Sequence, residues 1–395
     1  MLHKRSDISD YVIHFLRKQQ IKDLPAVFEY EDKIYFAEDN DIGNMNEMEC
    51  LFNIVSEGGL RGSFSFRNGK ATIYGYTPTV CFTEMPLINL LEYRRLRKNP
   101  YRISDYGIAV KKRDLFKKGG RPVIYGLSPD NAFEFSEDID QNPAIRIIKE
   151  TIVPIKEQYR YVAFQLGGNK EIDWTHEREW RIAGNDEICP YNGTYDEFYH
   201  GMYLFDVEDF EEVVFIVKTK QDAIELERYV RPKRDSNYTR SGEFTTKLKF
   251  LVLDLAIEIF SKRELKKIED LPNDVFYNFD YVRLNQKRIT QLHEIIEHCK
   301  LEAKRIGEEY LEKHKDTGFC GWCNIVSHEA DNPTVRYLFE QDMVFVYDGC
   351  YALKDIFNLA PHPQTQAYHI HVAEKVCAIL NEKYENIFCV IIHDD

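Results

Sequence analysis

The chain has 395 residues and a formal charge of −14, enough length for two or three domains with their own cores and too acidic for whole-molecule attraction to nucleic acid. No apolar run approaches the length of a membrane span, and the opening "MLHKRSDISDY" lacks the apolar region of a secretory signal. Nine scattered cysteines suit a reduced, cytoplasmic protein better than a disulfide scaffold.

In chain order, "YVIHFLRK" (Tyr11–Lys18) reads as a strand or strand end. "MECLFNIVSEGGLRG" has apolar residues at helical spacing and stops on Gly58 and Gly59. "TVCFTEMP" (Thr79–Pro86) is an apolar strand closed by Pro86. From Arg94 to Arg121 there are eleven basic residues against Asp105 and Asp114, a local +9 that leaves −23 for the remainder. Such a patch on an acidic chain is either a phosphate-binding surface or a solvated helix face with a lysine-rich turn. Within it, "YGIAVKK" (Tyr106–Lys112) and "RPVIYGL" (Arg121–Leu127) read as a pair of strands around "KKGGR".

"DWTHEREWRI" (Asp173–Ile182) raises a sharper question. Read as a strand, it places Glu177 and Glu179 on one face and His176, Arg178 and Trp180 on the other. Two carboxylates on one strand face are either a solvated edge or the acid/base pair of a site. "FEEVVFIVKTKQDAIELERYV" then predicts a buried strand and a helix, and "RPKRDSNYTRSGEF" a polar connector. "KLKFLVLDLAIEIFSKRELKKIEDLP" and "RITQLHEIIEHCKLEAKRIGEEYLEKHKD" both have helical periodicity. "DMVFVYDG" and "NIFCVIIHDD" are strand-like, and "AYHIHVAEKVCAILNEKY" is helix-like. These readings give an α+β class with an N-terminal domain over 1–230, a helical region over 231–315 and a small α/β domain over 316–395.

Cys320 and Cys323 form the one C-x-x-C. A structural zinc needs two further ligands, from among His328, Cys350, His362, His369 and His371. No second C-x-x-C or H-x3-H follows, so no metal is assigned.

The succession of "VIHF", "LFNIVSEGGLRGS", "TVCFTEMPL" and "WTHEREWRI" resembles the AbiGi-type abortive-infection family. More distantly, it resembles the DarT-like (CmdT-like) ADP-ribosyltransferases that modify nucleic acid, over about residues 8–225. The resemblance implies an ADP-ribosyltransferase-like split β-sandwich with NAD, as substrate, in the cleft between two small sheets. His14 would hold nicotinamide and its ribose, Arg61 the pyrophosphate, and Phe82 and Thr83 the nicotinamide end. Glu179 would be the essential glutamate and Glu177 the partner that prepares the acceptor. Breaking the C1′–N bond of NAD develops oxocarbenium character on the ribose, which a carboxylate on the 2′-OH stabilises.

Each residue has an ordinary reading beside this one. His14 and Phe82 sit among apolar neighbours, Arg61 follows a helix end, and the two glutamates can be surface ion-pair partners. Where the DarT-like pattern has a proline-flanked loop, this chain has Glu157–Trp174, with Gly167 and Gly168 as a hinge and Tyr159, Arg160, Tyr161 and Phe164 as aromatics around a cation. The implied function is a toxin of a phage-defence system that transfers ADP-ribose to a nucleobase in RNA or single-stranded DNA and is restrained by an antitoxin or chaperone-like protein. The alternatives are a protein ADP-ribosyltransferase, an NAD glycohydrolase, and a non-catalytic binding or antitoxin module.

Overall fold

The structure is a computed structural model. It describes residues 5, 7–17, 27–30, 33–36, 45–66, 71–97, 103–127, 145–167, 171–184, 201–205, 210–237, 244, 246–260, 267–278, 282–314, 318–384 and 386–394. The chain is α+β with several sheets and divides into two compact units. The first is Met1–Leu226 with Thr239–Asn278, and the second is Glu227–Tyr238 with Phe279–Asp395.

The first unit begins with β1 (Tyr11–Phe15), β2 (Val27–Tyr30), β3 (Lys33–Phe36), α1 (Glu47–Glu57), β4 (Gly59–Arg61) and β5 (Thr79–Thr83). It continues through α2 (Leu87–Arg97), β6 (Gly107–Lys111), α3 (Lys112–Lys117), β7 (Arg121–Pro122), β8 (Ile124–Leu127), β9 (Tyr161–Ala163) and β10 (Glu179–Ala183). After β11 (Gly201–Tyr203) and β12 (Glu212–Val217) come α4 (Lys220–Asp235), which belongs to the second unit from Glu227 on, β13 (Lys247–Val252) and α5 (Leu253–Phe260).

Seven strands form one sheet in the order β13-β12-β6-β1-β5-β10-β7. β12 and β13 run parallel, so the chain must cross over between them, and α4 lies in that connection. Every residue of β12 is buried, as expected of a strand flanked and covered on both sides. Tyr11 and Ile13 of β1 pack with Val214, Ile216, Leu251 and Leu253 on one side of the sheet, which leaves His14 for the other.

Local chemistry sets the elements around the site. Asn46 and Glu49 close a capping box on α1, and Gly58 ends the helix at φ 79°. Gly107 stands opposite Phe15 on β6, where an added Cβ would lie 2.8 Å from the His14 carbonyl oxygen.

Three expectations are corrected. Residues 106–127 form no hairpin: Leu115 is buried and folds its segment into α3, β7 pairs with β10, and β8 pairs with β9. Of the stretch from Lys247, Lys247–Val252 is a strand, not a helix, because Phe250, Leu251 and Val252 find their burial beside β12, while Leu253–Phe260 is helical as expected. The supposed connector is helical as far as Asp235, with Pro232 inside α4.

The reason lies in the second unit. Arg231 and Glu227 are each 1% exposed, and the Arg231 guanidinium donates to Glu227 at 2.6 Å and to the Ala330 carbonyl at 3.1 Å. Asp235 accepts from Tyr351 at 2.6 Å and pairs with Arg336. These bonds explain why 227–238 belongs with the second unit, where the sequence reading had placed a boundary at 230 and a separate helical region.

The second unit contains α6 (Gln286–Lys313), β14 (Gly321–Ser327), α7 (Pro333–Glu340), β15 (Val344–Tyr347), β16 (Cys350–Leu353), α8 (Gln366–Asn381) and β17 (Cys389–Asp394). Its antiparallel sheet has the order β15-β16-β14-β17, a split βαβ arrangement of the β-α-β-β-α-β type. Leu292, Ile296, Cys299, Ala303 and Ile306 of α6 recur at helical spacing and enter its core. Cys323 is buried in that core and Cys320 is exposed. Among the described residues, no group of three or more His, Cys, Asp or Glu side chains could hold a metal.

Breaking the Arg231–Glu227 pair from one side should be costly. Arg231→Met is expected to lower the urea unfolding free energy by about 3–5 kcal/mol, and Arg231→Met with Glu227→Leu to recover most of that loss. Equal losses for the single and double variants would show that the charge pair is not the cause.

Candidate functional site

A cleft of about 430 Å³ in the first unit is lined by all six residues singled out from the sequence: His14, Arg61, Phe82, Thr83, Glu177 and Glu179. They arrive from β1, β4, β5, the turn before β10, and β10 itself.

His14 Nδ1 lies 2.8 Å from the Cys81 carbonyl oxygen, which can only accept, so Nδ1 carries the hydrogen. The ring meets Phe82 edge-on at 5.7 Å. Burial pushes the His14 pKa down, which favours a neutral ring with Nε2 as acceptor. Phe82 is 2% exposed, so it serves both as core and as cleft wall. Arg61 pairs with Glu57 at 3.3 Å across the end of α1 while lining the cleft.

The segment around the two glutamates departs from the strand reading. Asp173 accepts from the Thr175 N–H at 2.9 Å and from its hydroxyl at 2.6 Å, which starts a 3₁₀ turn over Thr175–Glu177. Arg178 then turns left-handed at φ 45°, and the strand begins only at Glu179. Glu177 and Glu179 are therefore not strand neighbours of one face, although both line the cleft. Thr83 is built into this turn: its hydroxyl donates to the Glu177 carbonyl and accepts from the Met85 N–H at 3.1 Å. Tyr93 donates to the Glu177 carboxylate at 3.1 Å.

The i, i+2 pair that shares a strand face is Glu179 and Arg181. Arg181 is 5% exposed and donates from Nε and Nη2 to the two Glu179 oxygens at 2.8 and 3.1 Å. Its Nη1 donates to the Tyr159 carbonyl at 2.5 Å. Burial alone would lower the Arg181 pKa, but Glu179, with Cys81 and Tyr125, raises it. Burial, reinforced by the Glu179 charge, pushes the Cys81 thiol up to about 12. Cys81 is thus a protonated wall of the cleft and not a thiolate nucleophile.

Sequence reasoning missed four further arginines on this wall, counting Arg181, which its i, i+2 spacing from Glu179 would have revealed. Arg17 donates to Ser65 at 3.1 Å, and Arg97 lies between the rings of Tyr93 and Trp174 at 4.9 and 5.1 Å. Arg146 lies over Tyr74 at 4.6 Å, and its buried Nε has no hydrogen-bond partner among the described residues. Five arginines thus face three glutamates around the cleft, and Glu179 is already neutralised by Arg181. Guanidinium groups with aromatic rings and two carboxylates can grip phosphates, stack a flat ring and bind ribose hydroxyls.

Four cations of the basic segment are engaged in ion pairs. Arg94 pairs with Asp105, Lys111 with Glu211, Lys112 with Glu84, and Lys117 with Asp114. Lys98 and Arg102 lie outside the described residues. The supposed acceptor loop is also structured. Ile155–Arg160 is a 3₁₀ helix followed by β9, and Gln158 is fully buried and bonded to the main chain of Ile148 at 2.9 and 2.6 Å. Gly167 adopts φ 85°, whereas Gly168 is not among the described residues.

Compared with protein-family models, with curated proteins and with solved structures, the chain matches none.

A neutral, half-buried His14 has a pH consequence. Its folded pKa is depressed, so the unfolded chain takes up a proton near pH 6.5 that the folded chain refuses. Its contribution to stability is present above that pH and is lost on acidification through it. Between pH 7.5 and 5.5, wild type should lose stability more steeply than His14→Gln, by at most about 1.4 kcal/mol per pH unit. Parallel urea-unfolding profiles for the two proteins would refute a neutral His14.

Proposed function

We propose that the first unit binds NAD in the arginine-lined cleft and transfers its ADP-ribose to a nucleobase in RNA or single-stranded DNA. The observation that carries this reading is the convergence on one cleft of six residues chosen from motifs spread between His14 and Glu179. Two further features support it. The cleft borders strands of separate sheets, with β1, β5 and β10 from the large sheet and β4 from the β4–β11 pair, as a split β-sandwich requires. The residues also fit the substrate: the Nε of Arg146 has no hydrogen-bond partner among the described residues, and its guanidinium is suited to a pyrophosphate.

In this reading His14 and Phe82 receive the nicotinamide end, and Arg61 and Arg146 hold the phosphates. Glu179 accepts from the ribose 2′-OH with a lone pair that Arg181 leaves unused, and it stabilises the ribose cation as nicotinamide departs. Arg181 is a positioning residue that fixes the Glu179 rotamer through two hydrogen bonds. Glu177, oriented by Tyr93, takes the proton of the incoming acceptor. Use as a phage-defence toxin, action in the cytoplasm and restraint by a neutralising protein follow from the sequence resemblance and belong to the same proposal.

One observation favours a second reading, NAD hydrolysis. The ion pairs of Arg94, Lys111, Lys112 and Lys117 take up much of the basic segment that would track a polynucleotide.

The test is incubation of purified protein with NAD labelled in its adenosine part, together with separate pools of RNA, single-stranded DNA and protein. Label is expected in a nucleic-acid pool, with transfer falling as salt rises. Release of nicotinamide without label transfer selects the hydrolase, and no consumption of NAD rejects both readings. Glu179→Gln should lower turnover at least about 100-fold while changing NAD affinity far less. Glu177→Gln should depress transfer more than nicotinamide release.

A further inference from the structure

The second unit contains a cavity of about 560 Å³ that the proposed transferase chemistry leaves unused. Its walls come from the first turns of α6, the start of α7 and the segment before β17. Its lining includes the apolar and aromatic Ile295, Tyr384 and Ile387, together with Arg288, His298 and Lys383 and a single carboxylate, Glu294.

Farther along α6, Lys300 pairs with Glu297, Lys304 with Glu308, and Arg305 with both Glu302 and Glu309. Arg288 has Leu284 and Leu292 at its i±4 positions, and neither Arg288 nor Lys383 makes an ion pair among the described residues.

A second, independent observation lies at the start of α7. Asn332 caps the helix by accepting from the Thr334 N–H at 2.9 Å, and Pro333 opens it. Thr334 is only 6% exposed and lines the cavity, yet its hydroxyl makes no hydrogen bond among the described residues. A nearly buried hydroxyl normally finds a partner within the protein. Here the cavity is the side from which a partner can come.

We propose that this cavity is a nucleotide-binding site. Arg288, Lys383 and the Thr334 hydroxyl hold the phosphate, and the base lies against Tyr384 and Ile387. Glu294 is the acceptor for an exocyclic amine, which favours adenine or cytosine over uracil. Two cations and a hydroxyl match a phosphate, and the aromatic wall matches the flat body such a ligand carries. This second site belongs to the unit without the transferase cleft and does not depend on the NAD reading.

The test is site-resolved protection of the full-length protein. Lys383 is acetylated with a water-soluble active ester and followed by peptide mass spectrometry, with AMP, UMP or inorganic phosphate as probe. Lys304, paired with Glu308 on the same helix, is the reference. AMP at millimolar concentration is expected to slow Lys383 acetylation at least fivefold and to leave Lys304 unchanged. UMP should protect less, and phosphate least. Thr334→Val and Arg288→Gln should each raise the AMP concentration for half-protection about tenfold, with unchanged circular dichroism. Equal protection by phosphate and AMP would overturn nucleotide recognition, and no protection by any probe would overturn the site itself.

Discussion

A guanidinium at 5% exposure must be neutralised where it stands, and among the described residues Glu179 does so for Arg181. The bidentate pair holds the two side chains in one plane on the cleft face of β10. The remaining Arg181 donor is satisfied by the Tyr159 carbonyl, which ties the 3₁₀ helix before β9 to the strand. The cleft floor, the strand and the connecting segment thus share one charge pair. Burial, reinforced by the Glu179 charge and opposed by Arg181, raises the Cys81 thiol, so the sulfur between Thr79 and Thr83 on β5 remains protonated.

The approach to that pair is shaped by polar bonds made over very short range. Asp173 starts a turn, Arg178 ends it in a left-handed conformation, and Thr83 clamps the Glu177 carbonyl from β5. Left-handed backbone is uncommon for arginine. Here its guanidinium reaches back to the carbonyl and carboxylate of Asp7. The turn rotates Glu177 out of strand register and toward Tyr93, so the two carboxylates enter the cleft from different backbone directions and with different partners. Glu179 is held by a cation and Glu177 by a phenol.

Burial of charge also decides where the chain divides. Arg231, Glu227, Asp235 and Arg336 lie in sequence neighbourhoods that look like polar surface, yet each is buried and bonded within the second unit. Their bonds carry α4 through a proline and draw a stretch that reads as a linker into a core. The strand that follows returns to the first unit and lies parallel to β12.

The sequence by itself determined the elements whose local chemistry is self-contained. These are α1, with its apolar spacing and terminal glycine, the long periodic helix α6, and the apolar strands β1, β5 and β12. They are legible because periodicity and stop signals act over a few residues, whereas the six residues that line the cleft were named by the resemblance of motifs spread from His14 to Glu179. The tertiary structure alone decided that Lys247–Val252 is a strand, since its burial is supplied by β12 from thirty-odd residues away. It also decided that Arg17, Arg97 and Arg146 complete the cleft wall, because nothing beside them in sequence distinguishes them from solvated arginines. The partner of Glu179 lay between these two cases. Two residues of spacing made Arg181 available, and only burial made it obligatory.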